Sequence, residues 1–111
     1  MPNHHIGEFE QMVLLALLQC SDEPYALEVR RVLEERAERP VSRGALYRTF
    51  NRLTDKKYLE WRLEDPSPVP ERGGHPMRRF RVTEAGRRAL RSSRRALLNL
   101  WDGVEAELEK A

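Results

Sequence analysis

Residues 41–53 read VSRGALYRTFNRL, and their spacing decides what the rest of the chain must support. At about 3.6 residues per turn, Leu46, Phe50 and Leu53 fall at i, i+4 and i+7 and make one apolar face. Tyr47, Arg48, Asn51 and Arg52 are left on the other side, and Arg43 lies in the open first turn. Ser42 stands where an N-cap is wanted, and Pro40 keeps the preceding backbone extended. An outer face of Arg, Tyr and Asn suits a DNA major groove. Arg bonds guanine edges or phosphate, Asn bonds adenine, and Tyr reaches phosphate. The same pattern also describes an ordinary solvated helix, so the flanking segments must separate the two.

Toward the N-terminus, Tyr25 to Ala37 has helical spacing, with Tyr25, Val29, Val32 and Leu33 on one side and Arg30, Arg31, Glu34 and Glu35 on the other. Glu38 to Val41 is a short connection, so the two helices form a helix-turn-helix pattern. Before a turn at Ser21 to Pro24, Glu8 to Cys20 is a further helix. Phe9, Met12, Val13, Ala16 and Leu17 share one face, and Leu14, Leu15 and Leu18 extend it. That is more apolar surface than a surface helix needs, so it predicts a central core helix or one that also meets a partner. Residues 1–7 read as a loose leader. His4 and His5 lack the further ligands that a metal site requires.

Toward the C-terminus the period changes. Leu59, Trp61 and Leu63 alternate with Glu60 and Arg62, and Arg78, Phe80 and Val82 alternate with Met77, Arg79 and Arg81. Two strands around the Pro- and Gly-rich stretch 65–76, DPSPVPERGGHP, predict a β-hairpin. Its loop carries Arg72, Gly73, Gly74 and His75, where glycine permits close backbone approach to a partner and Arg supplies charge. No strand-helix frame surrounds the glycine pair, so it is not a nucleotide-phosphate loop. Thr83 is a good N-cap with Glu84 in the first turn. From there one helix is predicted to about Lys110, weakened at Gly86 and Gly103 and spanning about 40 Å. Leu90, Leu97, Trp101, Val104 and Leu108 make a heptad-like stripe on it. The body is too small to cover that stripe along its length. The simplest cover is the same stripe of a second subunit, with Phe9 of the first helix beside it, in a two-fold dimer. The alternative is a helix folded back on the first helix of its own chain.

Composition fits one mainly α domain with a small β-hairpin: a winged helix-turn-helix over residues 1–82 and a C-terminal dimerisation helix over 83–111, both in one compact unit. The 111 residues are 40% hydrophobic and 34% charged, with a net charge of only +2. The charge is unevenly placed. Residues 30–95 hold 19 of the 20 basic residues against nine acids, while 1–29 and 96–111 are acidic. A basic middle between acidic ends suggests a polyanion footprint. The single cysteine, Cys20, permits no intrachain disulfide and fits a reducing compartment. The longest apolar run, Met12 to Leu18, is too short to span a bilayer, and no Lys or Arg precedes it as in a signal peptide. The expectation is a cytoplasmic protein with no membrane association.

In order and spacing, GEFEQMVLLALL, YALEVRRVLEER, VSRGALYRTFNRL, RGGHPMRRFRVTEAG and RRALLNLWDGV together resemble the PadR family of bacterial transcriptional regulators. The likeness runs from Gly7 to Val104 and is to the short members, whose C-terminal part is a single helix. It implies a winged helix-turn-helix dimer that usually represses transcription. By motif match Ser42, Tyr47, Arg48 and Asn51 would face double-stranded DNA, and Arg72, Gly73 and Gly74 would sit in the wing. Some short members bind flat aromatic compounds in the dimer cleft through a Trp on the last helix, and Trp101 stands where it could do so. Its other reading is a buried dimer-core aromatic. No cofactor is implied. Ala26 and Lys57 replace glycines common in the family, and Phe50 replaces a common Leu.

The resulting expectation is a homodimer on a pseudo-palindromic operator, with recognition helices about 34 Å apart. Wings would hold DNA through Arg72, His75 and Arg78, and Arg43, Arg48, Arg52, Lys56 and Lys57 would add salt-sensitive phosphate attraction. A small aromatic effector changing the angle between the last helices would lower affinity. Two competing readings are a winged-helix module that binds protein, and a binder of small aromatic molecules with a minor DNA role. With three His, one Cys and no nucleophile-base or paired-carboxylate spacing, the chain does not read as an enzyme.

Overall fold

Four residues beyond the stretch 41–53, at Lys57, the backbone makes a turn that fixes how the remaining elements meet. The computed structural model describes residues 6–20, 22–64 and 77–110, so the expected wing contacts Arg72, Gly73, Gly74 and His75, and the leader with His4 and His5, lie outside the described residues. The elements are α1 (Glu8–Gln19), α2 (Ala26–Ala37), α3 (Arg43–Asp55), β1 (Leu59–Leu63), β2 (Arg78–Val82), α4 (Glu84–Trp101) and α5 (Glu105–Leu108). The strands form one antiparallel hairpin in which Leu59 pairs Val82, Trp61 pairs Phe80 and Leu63 pairs Arg78. The fold is mainly α with this single hairpin, a winged helix-turn-helix.

Each helix starts as its sequence demands. Ser42 Oγ accepts the Ala45 N–H at 3.1 Å, and Thr83 Oγ1 accepts the Gly86 N–H at 3.0 Å. At α1 and α2 the cap works from inside: Glu10 and Glu28 reach back to the Gly7 and Tyr25 N–H groups at 2.8 and 3.1 Å. The core is continuous. Val13, Leu14 and Leu17 of α1 meet Val29 and Leu33 of α2, Leu46, Phe50 and Leu53 of α3, and Phe80 of β2. Phe50 and Phe80 lie with ring centroids 4.2 Å apart. The first turns of α4 belong to the same core through Gly86, Ala89 and Leu90.

Helix α3 ends in a Schellman turn. The Lys57 N–H bonds the Thr54 carbonyl and the Tyr58 N–H bonds the Leu53 carbonyl, both at 2.9 Å. Lys57 takes the left-handed position at φ 66°, so the helix ends as it would with glycine and the lysine carries the strain. The start of α4 stacks on this turn: Thr83 donates its N–H to the Tyr58 carbonyl at 3.0 Å and its hydroxyl to the Lys57 carbonyl at 2.7 Å. Gly86, read from sequence as a weak point, is required here. A Cβ at that position would sit 2.4 Å from the Tyr58 carbonyl oxygen and 3.0 Å from Val82 Cγ1.

The ends of two helices differ from expectation. The last helix does not run unbroken to Lys110. It stops at Trp101, Gly103 takes φ +84°, and α5 starts after Val104. Glycine adopts that φ without penalty, so the chain turns where its sequence is weakest. The expected stripe is therefore not one seam: Leu90 is buried in its own chain's core, Leu97 and Trp101 lie on α4, and Val104 and Leu108 lie beyond the break. The hairpin stands as expected, with Leu59 buried and Trp61 and Leu63 exposed at 40% and 53%, because β1 runs out past the core. The first helix ends at Gln19, one residue early. Cys20 caps it half-buried, its thiol donating to the Ala16 carbonyl, and burial foremost, with Glu28, pushes that thiol's pKa up. That environment disfavours the thiolate a nucleophile needs.

Two substitutions of opposite sign test the junction. Lys57→Gly should raise stability by about 1 kcal/mol by relieving the left-handed strain. Gly86→Ala should lower it by about 2 kcal/mol or more, since the backbone it meets cannot yield. Urea denaturation at one fixed protein concentration reads both.

Candidate nucleic-acid interface

The buried Leu46, Phe50 and Leu53 turn the opposite face of α3 to solvent, where Arg43, Arg48, Asn51 and Arg52 are all exposed. Ser42 is exposed at the helix start with its oxygen engaged as the cap. Arg52 leans along the helix and donates to Thr49 Oγ1 at 3.2 Å. Tyr47 departs from the expected outer face. It is half-buried, with its ring edge-on to Phe50 at 5.5 Å and near Phe80 at 6.4 Å. The hairpin packs beside α3 there, so that helical position is a flank and not the outer face.

Tyr47 also organises the arginines around it. The Arg43 guanidinium lies 5.5 Å from its ring centroid and that of Arg78 lies 5.8 Å away. Arg78 is at the same time 4.2 Å from the Trp61 ring. A guanidinium held by two aromatic rings keeps its in-plane N–H groups free for an anion. Helix α3 and the hairpin are thus linked through Tyr47, Arg78 and Trp61. Beside them lies an open cleft of about 660 Å³, with Arg30, Arg43 and Arg78 among its walls and Leu27, Leu63 and Met77 as apolar surface. Arg30 donates through Nε to the Val41 carbonyl at 3.2 Å, fixing the segment that leads into α3. Sequence reasoning missed Trp61 and Arg30 as site residues. The hairpin register that sets Trp61 near Arg78 is not visible in a linear pattern.

Other basic residues are paired with carboxylates. Arg62 pairs with Glu23 through two bonds of 3.0 and 2.8 Å, and Arg79 donates to the Glu23 carbonyl at 2.7 Å and to Glu64 at 3.1 Å. The Arg62 bond foremost holds the Glu23 carboxyl below its usual range. Arg81 pairs with Glu60 across the strands. Lys56, expected to attract phosphate, instead bonds Glu10 at 2.9 Å. Glu10 is buried on α1. Burial pushes its carboxyl pKa up, but the Lys56 bond, the Gly7 N–H and the charges of Lys56 and Arg52 outweigh this and leave it lowered. Its second oxygen, Oε2, meets no donor among the described residues.

A second concavity lies on the far side, between α1 and α4. It encloses about 570 Å³ and is mainly apolar, with Leu15, Leu18, Leu97 and Trp101 in its walls. Phe9 is not in it. That ring is half-buried against the core, with the Arg39 guanidinium 5.1 Å from its centroid. Among the described residues, no helix is long and apolar enough to cross a membrane.

Comparison with known proteins agrees with this architecture. The profile of the transcriptional regulator PadR-like family matches residues 14–92. Among solved structures, a PadR-like transcription factor from Bacteroides fragilis is 22% identical with a TM-score of 0.69, covering 88% of this chain and 87% of its own. A PadR family transcriptional regulator from Eggerthella lenta is 25% identical with a TM-score of 0.69, covering 94% and 88%. A transcriptional regulator from Clostridium thermocellum is 14% identical with a TM-score of 0.68, covering 91% and 92%. No curated protein matches the sequence.

The tie between Glu10 and Lys56 predicts a pH dependence. A carboxyl whose folded pKa is lowered adds stability above its unfolded pKa and loses it as pH falls through the folded one. Wild type should therefore exceed Glu10→Gln in stability at pH 7. The gap should narrow as pH drops below about 4.3, the ordinary glutamate value. Paired denaturation curves at pH 7 and pH 3 measure it, and a gap that is constant with pH would refute the charge contribution.

Proposed function

The chain belongs to the PadR-like family of transcriptional regulators, a DNA-binding regulator by fold, and on that premise we propose that it is a repressor that binds a pseudo-palindromic operator as a homodimer. The observation that carries this reading is the division of α3: every large apolar side chain is buried, and Arg43, Arg48, Asn51 and Arg52 are exposed together. In the proposed complex this face enters the major groove, where Arg48 and Asn51 read base edges and Arg43 and Arg52 hold phosphate. Arg78, held between Tyr47 and Trp61, takes a phosphate flanking the groove. The wing loop with Arg72, Gly73, Gly74 and His75 completes the contact in this proposal.

The dimer reading rests on exposed apolar surface. Leu15 and Leu18 of α1 and Leu97, Leu98, Leu100 and Trp101 of α4 are each at least 40% exposed. A patch of this size on one side marks an interaction surface. With a second subunit across it, a flat aromatic effector seated against Trp101 would shift the angle between subunits and so the spacing of the two recognition helices. A large apolar aromatic bordering an open groove supports that assignment.

Fluorescence anisotropy tests the proposal with labelled DNA from upstream of the protein's own gene and a scrambled duplex, across a salt series. Wild type should prefer the first, with a steep salt slope. Asn51→Ala should weaken operator binding about tenfold and binding to the scramble far less, as expected for loss of a bidentate base contact. Arg78→Ala should weaken both about equally and flatten the salt slope by about one. Absence of binding to either duplex at low salt would overturn the DNA reading in favour of a protein-interaction module.

A further inference from the structure

We infer that a second copy of the chain lies antiparallel along α4 in a register chosen by charge, so that Arg94, Arg91 and Arg87 receive Asp102, Glu105 and Glu109 of the partner subunit. This rests on the dimer reading above and deepens it, because exposed leucines alone choose neither direction nor register.

The charge on this part of the chain is segregated. Residues 87–95 hold Arg87, Arg88, Arg91, Arg94 and Arg95 with no acid, while residues 102–109 hold Asp102, Glu105, Glu107 and Glu109 with no base. Between them lies the exposed apolar stretch Leu97, Leu98, Leu100 and Trp101. A parallel pair would set arginine against arginine at one end of the contact and carboxylate against carboxylate at the other. An antiparallel pair sets the basic part of each copy against the acidic part of the other. With the two-fold axis near Leu98, the apolar stretches meet at the centre, and in each named pair the arginine stands as many residues before Leu98 as the carboxylate stands after it.

The exposed groups fit this assignment. Of the five arginines, Arg87, Arg91 and Arg94 border the apolar groove between α1 and α4, on the side a second copy would cover. Among the described residues neither Arg87 nor Arg94 has a carboxylate within ion-pair distance. Arg91 has one partner, Glu84 at 3.0 Å, with both side chains more than half exposed. Such a pair contributes little in water and is readily exchanged. Asp102, Glu105 and Glu109 are exposed as well and form no ion pair among the described residues. The turn at Gly103 separates α5, which carries Glu105, from α4, so the acidic segment is not held in the α4 helix. Charges at the rim of an apolar contact set orientation and partner choice more than affinity, as this register requires.

A charge exchange in the full-length chain tests it by analytical ultracentrifugation at low salt. Two double variants are needed, R91E/R94E and D102K/E105K. Each alone should raise the dimer Kd about tenfold or more, because like charges then face each other on both sides of the two-fold axis. An equimolar mixture of the two should restore wild-type dimerisation, since every pair is again opposite in sign, and misfolding of a variant cannot mimic that rescue. In 1 M NaCl the difference between wild type and the single-charge variants should shrink. If both variants dimerise like wild type, or if the mixture does not recover, the register is wrong while the dimer stands. If wild type itself sediments as a monomer at every concentration, the dimer reading fails with it.

Discussion

The contact between Phe50 and Phe80, at 4.2 Å between centroids, is the one on which the interface depends. It joins the buried face of α3 to the inner face of the hairpin, and neither element could hold its place without the other. A two-stranded hairpin is not stable alone, and a 13-residue helix of this composition is marginal in water. Packed together, Phe80 closes the core beneath α3 and Tyr47 covers the edge of the aromatic pair. The exposed face of α3 is the outer consequence of that burial. Glycine is tolerated at position 44 because it lies on that open face, whereas at 86 it is demanded by the packed one.

A chain with 20 basic residues could spread positive potential over its whole surface. This one confines it. Glu23, Glu60 and Glu64 take up Arg62, Arg79 and Arg81 on the outer side of the hairpin, and Glu10 takes up Lys56 behind α3. Phe80 donates its N–H to the Pro24 carbonyl at 3.1 Å, so the same turn that supplies Glu23 is tied to β2 by backbone as well. The pairs on the hairpin are partly or fully exposed and contribute little to stability individually. Their effect is to cancel charge where it is not wanted and to brace the hairpin. Among the described residues, Arg43, Arg48, Arg52 and Arg78 around α3 have no carboxylate within ion-pair distance, and they define a compact cationic area. Net charge describes such a surface poorly, because internal pairing and not composition decides which cations a polyanion meets.

Local chemistry made most of this legible in the sequence. The buried side of α3, its Ser42 cap, the Thr83 cap and the positions of both strands follow from short-range spacing, and each stands in the structure at the expected residues. What could not be read depends on contacts between segments far apart in the chain. Tyr47 lies on the flank because β2 packs there, and its helical position alone could not reveal that. Lys56 is withdrawn by a carboxylate 46 residues earlier. Trp61 and Leu63 alternate like buried residues but sit where the hairpin outruns the core. Spacing alone predicts a continuous last helix because glycine only weakens a helix on average, and whether it breaks one depends on what lies beyond. At Gly86 packing holds the helix together, while at Gly103, with no atom within 4 Å of a Cβ position, nothing opposes the turn.

The junction between α3 and α4 bears on how a regulator of this design could respond to a signal. Thr83 binds the carbonyls of both Lys57 and Tyr58, and Gly86 presses its backbone onto the same turn. The end of α3 and the start of α4 are therefore one rigid corner, in direct backbone contact at Gly86 and Tyr58. On the proposed dimer, a change in how two α4 helices cross cannot be absorbed at this corner. It passes to α3 as rotation of the whole winged unit, which leaves each recognition face intact and alters only the distance between the two. Such a device needs no pathway of altered side chains from groove to DNA. It needs a stiff lever and two dimer geometries close in energy, and an operator whose half-site spacing fits one of them.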